Sequence, residues 1–337
     1  MKPKIIFIAA TLMAIAVPAH AETMKAIVAR EYGGPEVLKY EDVPVPTPKE
    51  NEILVKVFAA GVNSFDGNLL AGNWAKPPNG TQLPWHPGYD IAGVVEKVGS
   101  KVGKFKPGDA VYAFITILKG GGYAEYALAK ESDAALKPAT ISFVEAAGVP
   151  SVALTAWQAL VDKANVQSGQ TVLINGASGG VGMFAVQIAK IHGAKVFATA
   201  SAANQEFLKQ LGADVPIDYK TQKFEDIAKD IDVVIDAVGG ETLARSYPVV
   251  KKGGIIVALT SDVDKAQLRK YGIRGASLVV QNNGNELAQI GKLIDEKKIK
   301  VVVSETFPLA DAAKAEKKAD LGHTRGKIVL KVRDEPK

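Results

Sequence analysis

The 337-residue sequence contains no cysteine. That absence excludes disulfides, thiolate zinc sites, cysteine nucleophiles and cysteine-ligated iron–sulfur clusters together. Histidine is scarce: there are four. His86 precedes a proline, His192 ends a helical stretch and His323 sits in a turn, so none is placed as a catalytic base. Charge of one sign is lacking as well. The net charge is +5 and no Lys/Arg run marks a nucleic-acid footprint. Hydrophobic residues at 47% and charged residues at 23% are ordinary for a globular protein, which leaves out disorder, collagen and coiled coil. The length favours two domains.

Residues 1–21 read as an address. Lys2 and Lys4 precede an apolar run from Ile5 to Val17, and Pro18-Ala19-His20-Ala21 follows. That is the order of a secretory signal peptide cut after Ala21. The run is too short for the about 20 residues a membrane-spanning helix needs, and no twin arginine precedes it. The expected mature chain starts at Glu22 with no membrane span, in the periplasm or outside the cell. Lys2 and Lys4 leave with the peptide and the net charge falls to +3.

Two grammars follow. From Met24 to about Ala147, short Val-, Ile-, Tyr- and Phe-rich runs are broken by Gly and Pro: Ile53–Phe58, Ile91–Val98, Ala110–Phe114 and Tyr123–Ala129. These predict an antiparallel, barrel-like β domain. After Ala153, apolar runs (Thr171–Asn175, Lys195–Thr199, Val233–Ala237, Gly254–Leu259, Ala276–Val280) alternate with helical stretches (Val181–Ile191, Ala203–Leu211, Glu286–Asp295). Such alternation predicts βαβ units and a doubly wound parallel sheet. A helix over Ala310–Ala319 and a strand over Gly326–Val332 close the chain.

The strongest chemical signal follows the strand Thr171–Asn175. Gly176-Ala177-Ser178-Gly179-Gly180-Val181-Gly182 leads straight into a helical pattern. The spacing Ala177-x-Gly179-x-x-Gly182 is a variant of the dinucleotide fingerprint. Its small residues allow a tight turn, close approach to a pyrophosphate and close helix–strand packing. The helix N-terminus adds free N–H groups and partial positive charge for the phosphates. An NAD-preferring site places a carboxylate at the end of the second strand. Here Ala200-Ser201-Ala202-Ala203-Asn204 offers none. Ser201 and Asn204, joined by Tyr219, are expected to hold a 2′-phosphate, which favours NADP over NAD. An ordinary Ser/Asn helix cap is the alternative.

Further motifs extend over the mature chain: Ala60-Gly61-Val62-Asn63-Ser64-Phe65-Asp66, Pro87-Gly88-Tyr89-Asp90-Ile91-Ala92-Gly93, Pro107-Gly108-Asp109, Gly122-Tyr123-Ala124-Glu125, Gly169-Gln170 with Leu173, Gln187 with Lys190, and Gly322-His323-Thr324-Arg325-Gly326-Lys327. Together with the glycine turn, this set resembles the quinone oxidoreductase (zeta-crystallin-like) branch of the medium-chain dehydrogenase/reductases. The resemblance implies an α/β architecture: a GroES-like β-barrel domain over residues 22–150, completed by 305–337, around a Rossmann domain over 151–304. It implies an active site in the cleft between them and a homodimer, with Ala276–Val280 as an edge strand. Zinc-dependent cousins carry a Cys in the first motif and a His-Glu pair in the second. Asn63-Ser64 and Tyr89-Asp90 stand there instead, so no metal is expected. A residual site from His86, Asp66 and Asp90 is the alternative that spacing leaves.

Without a Lewis acid to lower an alcohol's pKa, hydride transfer to a quinone or an α,β-unsaturated carbonyl is the expected chemistry. The developing oxyanion then needs hydrogen-bond donors. Asn63 and Tyr123 are the expected donors and Tyr89 and Trp74 the walls, while Thr155 sits where the family's chain passes the nicotinamide. Asp66 is expected to orient backbone rather than act as an acid. Val238 and Gly239 resemble a further cofactor-contact loop, with Asn282, Arg325 and Lys327 as additional contacts. Relatives often carry a cation where Ala203 stands, and Lys220 or Arg269 is a possible substitute. A low-turnover NADP(H)-binding sensor and an enoyl-thioester reductase remain alternatives, the first because an export signal sits poorly with a cytosolic-type cofactor.

Overall fold

The computed structural model describes residues 22–73, 82–117, 119–322 and 324–335. The segment read as a signal peptide, Trp74 and His323 lie outside them.

The first half is antiparallel. Strands β1 (Thr23–Ala29) and β2 (Leu38–Pro44) pair with each other. The long β3 (Glu52–Val62) anchors a second sheet with β4 (Asp90–Val98), β5 (Ala110–Phe114), β6 (Tyr126–Lys130) and β7 (Ala134–Leu136). Its middle is apolar on both faces, because the sheet curls around a core and is covered outside by later helices. At the end of β3, helix α1 (Ser64–Leu70) begins under a capping box. Asn63 is the cap and the Asp66 carboxylate returns to the Asn63 N–H. Helices α2 (Phe143–Ala147) and α3 (Pro150–Trp157) lead into the second half.

There the sheet is parallel in the order β10-β9-β8-β11-β12-β13. The strands are β8 (Thr171–Asn175), β9 (Lys195–Ala200), β10 (Val215–Asp218), β11 (Ile231–Asp236), β12 (Val250–Ala258) and β13 (Arg274–Ser277). All six residues of β11 are buried, as expected of a strand covered on both faces. Helix α4 (Gly180–Ile191) follows β8 and turns Met183, Phe184, Val186 and Ile188 into the core. Strand order reverses between β9 and β11 on either side of β8, the switch point where such sheets bind ligands.

The chain then returns to the first domain. Strand β14 (Val303–Pro308) pairs in parallel with β15 (Lys327–Lys331), and β15 pairs antiparallel with β3. Helices α5 (Gln205–Gln210), α6 (Phe224–Ile227), α7 (Gly240–Ser246), α8 (Lys265–Tyr271) and α9 (Gly284–Asp295) precede β14 in the chain, and α10 (Ala312–Asp320) connects β14 to β15. The fold is therefore a GroES-like antiparallel domain plus a six-stranded parallel Rossmann sheet.

Two strands differ from the sequence reading. Tyr123 bonds to Pro87 and Ile27 and the Glu125 N–H to the Lys25 carbonyl, and only the Glu125 carbonyl reaches β3, at the Val57 N–H, so β6 starts at Tyr126. Strand β13 lies earlier than Ala276–Val280 because its partner β12 ends at Ala258, opposite Ser277. Among the described residues no helix is long and apolar enough to cross a membrane.

Candidate active site

The glycine turn forms one wall of a cleft between the domains. Gly176 takes φ +74°, which glycine tolerates best. A Cβ at Gly182 would lie 2.4 Å from the Gly176 carbonyl oxygen, so the turn can touch α4 only without a side chain there. The amide of Met183 bonds to the Gly179 carbonyl, which leaves the N–H groups of Gly180, Val181 and Gly182 without helix partners. These residues line the cleft with Gly176, Val152 and Ala237. From the other domain, the Gly326 amide bonds the Ser178 carbonyl at 2.9 Å and clips the turn to the start of β15.

The outer end of this wall gathers four expected cofactor residues. Asn204 Nδ2 lies 3.3 Å from both Ser178 Oγ and Ser201 Oγ. Arg325 donates through Nε to Asn204 Oδ1 at 2.8 Å and through a terminal nitrogen to the Ala203 carbonyl at 2.8 Å. Its guanidinium also lies over the Phe207 ring. The cation that Ala203 cannot supply thus arrives from the other domain. Tyr219 and Val238 are exposed nearby in the chain, after β10 and β11, and Gly239 N–H is held by Asp236 Oδ1 at 2.6 Å.

The facing wall is a buried polar cluster. Asn63, on the cleft, donates to Asp90 Oδ2 at 3.0 Å and accepts from Lys327 Nζ. Its second amide hydrogen has only a 3.4 Å contact to the Gly61 carbonyl. Lys327 Nζ also bonds the Val62 carbonyl at 2.7 Å and lies 3.6 Å from Asp90 Oδ2. Ser151 closes the group with its N–H on Asp90 Oδ1 at 2.8 Å and its hydroxyl on Oδ2 at 2.5 Å. Burial pushes Asp90 up and Lys327 down, and each opposes the other's shift as an ion-pair partner. Behind Asn63, Tyr123 OH lies 2.6 Å from Glu316 Oε1 and 3.1 Å from Asp66 Oδ2. Burial pushes Asp66 up to about 7, and it raises Glu316 well above the usual carboxylate range, with Asp66 adding to the rise.

The expected residues therefore divide. The glycines of the turn, Val181, Asn63 and Lys327 line the cleft, whereas Ala177 within the turn is fully buried. Tyr123 and Tyr89 are buried; Tyr89 packs edge-on against Phe114, and burial raises both phenols well above their usual range. Thr155 donates to the Ser151 carbonyl at 2.7 Å on α3. Asn282 bonds the Phe114 carbonyl. The sequence reading missed Ser151, Glu316 and Thr324, whose buried Oγ1 has no partner although the residue lines the cleft. Glu316 meets Tyr123 across 193 residues and Ser151 meets Asp90 across 61, so no local motif announces either.

Zinc does not fit this donor set. Asp90 and Asp66 are committed to the contacts above, and the charged groups that shift His86 are Arg30 and Glu41. Among the described residues no three His, Asp or Glu gather as ligands. A dinucleotide does fit: the bare glycine turn and the free amides of α4 suit a pyrophosphate, and the unpartnered Thr324 hydroxyl and the Arg325 cation are further donors.

Comparison with known proteins identifies the family. Residues 49–139 match the family model "Alcohol dehydrogenase GroES-like domain", and 211–330 match "Zinc-binding dehydrogenase". The chain is 40% identical over 318 residues to the NADPH-dependent alkenal/one oxidoreductase, chloroplastic, of Arabidopsis thaliana, covering 91% of this chain and 79% of that protein. The solved quinone oxidoreductase of Coxiella burnetii superposes with TM-score 0.86 at 37% identity, covering 93% of this chain and 100% of that one. The Escherichia coli quinone oxidoreductase complexed with NADPH gives TM-score 0.83 at 30% identity, with 91% and 100% covered. The chain belongs to the quinone oxidoreductase family of the medium-chain dehydrogenase/reductases.

Proposed function

We propose that the protein is an NADPH-dependent reductase of quinones or α,β-unsaturated carbonyls that works without a metal. The observation that carries this reading is the end of β9, where Ser201, Asn204 and the Arg325 guanidinium converge and the stretch 200–204 holds no carboxylate. That stretch suits a 2′-phosphate, since it offers donors and carries no carboxylate of its own to repel it. The glycine turn would hold the pyrophosphate, and Tyr219, Val238 and Gly239 would flank the nucleotide. When bound, NADPH supplies the hydride. Asn63 does the protein's part of the chemistry. One amide hydrogen anchors it to Asp90 and the loosely held second one is free for a carbonyl or quinone oxygen as negative charge builds on it. The proton comes from solvent on the open side of the cleft. Reductases named for alkenals and quinones among the relatives support the substrate class.

We also propose a homodimer through the exposed edge at β13, and export directed by residues 1–21. The mature protein should then begin at Glu22 on N-terminal sequencing of secreted material.

The deciding assay offers NADPH or NADH to the purified mature protein with a quinone and with a short enone. Acceptor-dependent oxidation, faster with NADPH, is the expected result. Tight nucleotide binding with no turnover for any acceptor would favour a sensor. Alcohol oxidation that depends on added zinc would overturn the metal-free mechanism.

A further inference from the structure

The wall behind Asn63 holds more acid than its cations balance. The described residues put one ammonium, Lys327, beside the carboxyls of Asp90, Asp66 and Glu316. Its hydrogens go to the Val62 carbonyl, to Asn63 and toward Asp90. Asp66 and Glu316 are left facing each other across one phenol. Tyr123 has one hydroxyl hydrogen, yet its oxygen lies within hydrogen-bond distance of both carboxyls, at 2.6 and 3.1 Å. The second hydrogen has to come from a carboxyl group. Each carboxyl keeps one buried oxygen without a partner among the described residues, Asp66 Oδ1 and Glu316 Oε2, but Asp66 Oδ2 also accepts the Asn63 N–H at 3.1 Å, whereas no backbone donor reaches Glu316. Asp66 has one donor that Glu316 lacks, so a charge is better compensated on Asp66 and the proton belongs on Glu316.

We propose that Glu316 is a positioning residue that works in its protonated form: its O–H donates to Tyr123, Tyr123 donates to Asp66, and Asp66 receives the Asn63 N–H, fixing Asn63 at the cleft. Loss of the one proton reverses or breaks the chain and sets two carboxylates against the same phenol. Helix α10 would then be pushed from α1, and the Asn63 carboxamide would lose its aim. The kinetic part rests on the proposed reductase reaction; the proton itself does not.

Groups facing Glu316 are Asp66 from α1, Tyr123 from the turn before β6, Tyr89 from the segment before β4, Asp320 from its own helix and Lys327 from β15. All but Lys327 are acidic or neutral, so the surroundings favour the protonated state. Its folded value is raised above its unfolded one, so its stabilising contribution is present in acid and is lost as pH climbs through the folded value.

The test compares wild type with Glu316→Gln, Glu316→Ala and Tyr123→Phe. Gln donates an N–H to Tyr123 as the acid does and cannot ionise. Infrared difference spectra at neutral pH should show a protonated carboxyl stretch in the wild type that fades at alkaline pH and is missing from Glu316→Gln. Melting temperature should fall with rising pH in the wild type and more weakly in Glu316→Gln. In turnover, Glu316→Gln should keep kcat within about twofold and lose the alkaline limb, while Glu316→Ala and Tyr123→Phe should lower kcat about tenfold or more. A wild type with no protonated carboxyl at neutral pH, or a Gln variant as impaired as the Ala variant, overturns the proposal. If no acceptor is reduced, the reductase reading fails while the infrared and melting data still decide the position of the proton.

Discussion

On the nucleotide side of the cleft the working surface is backbone, whereas the facing side is a knot of buried side chains. The glycine turn succeeds by having nothing at Gly179, Gly180 and Gly182, so that peptide N–H groups meet the ligand. The Asn63 wall succeeds by pairing the groups that hold Asn63: Asp90 has three side-chain partners and one backbone donor, and Lys327 has three acceptors in reach. A backbone site fails when something is added, and a side-chain site fails when something is taken away. Each kind of damage should be tried on its own wall.

The largest effect is expected from adding. Gly182→Val puts carbon 2.4 Å from the Gly176 oxygen and 2.5 Å from the Ala177 Cα, both backbone atoms that cannot swing aside. The turn and α4 have to part. NADPH binding, followed by nucleotide fluorescence, should be lost, and the melting temperature should drop with it. Retained binding would mean that the turn does not carry the pyrophosphate.

Taking away comes next. Lys327→Met leaves Asp90 charged and unpaired in the interior, a change that costs about 3–5 kcal/mol in buried pairs. Denaturant midpoints should show it. Adding Asp90→Asn should return much of the loss, because neither charge is then stranded. Asn63 has still lost the Lys327 donor to its Oδ1 and keeps only the 3.2 Å contact from the Ser151 hydroxyl, so activity should recover less than stability does. Full recovery of both would make the pair a packing device with no hold on Asn63.

The same contrast explains what could be read from the chain. A backbone site needs consecutive small residues between a strand and a helix, and Ala177-x-Gly179-x-x-Gly182 shows them in one line. Parallel strands and α4 were legible for the same reason, since their periods are local. The knot was visible only in halves. Asn63, Tyr123 and Lys327 stood in motifs, but their partners Ser151 and Glu316 lie in α3 and α10, which have no local reason to carry them. Helix α3 is apolar nearly all round, so it shows no amphipathic stripe that would mark it as a helix. Tyr123 looked like a donor to substrate because the sequence could not show Asp66 and Glu316 around its hydroxyl.

Arg325 crosses between the two walls, and it gives the smallest and most selective expected effect. It comes from the segment that leads into β15 but ends on Asn204 and the Ala203 carbonyl of the Rossmann half. Arg325→Gln can keep one neutral hydrogen bond to Asn204 and loses the charge. A charge-assisted bond is worth about 1.5–3 kcal/mol. The dissociation constant for NADPH should therefore rise about 10- to 150-fold while that for NADH stays nearly constant. Titration of both nucleotides against both proteins measures the ratio. An equal loss for the two would mean that Arg325 only pins the domains together, and the 2′-phosphate would have to find its cation elsewhere. A selective loss would show that the side-chain wall reaches across and decides which nucleotide the backbone wall receives.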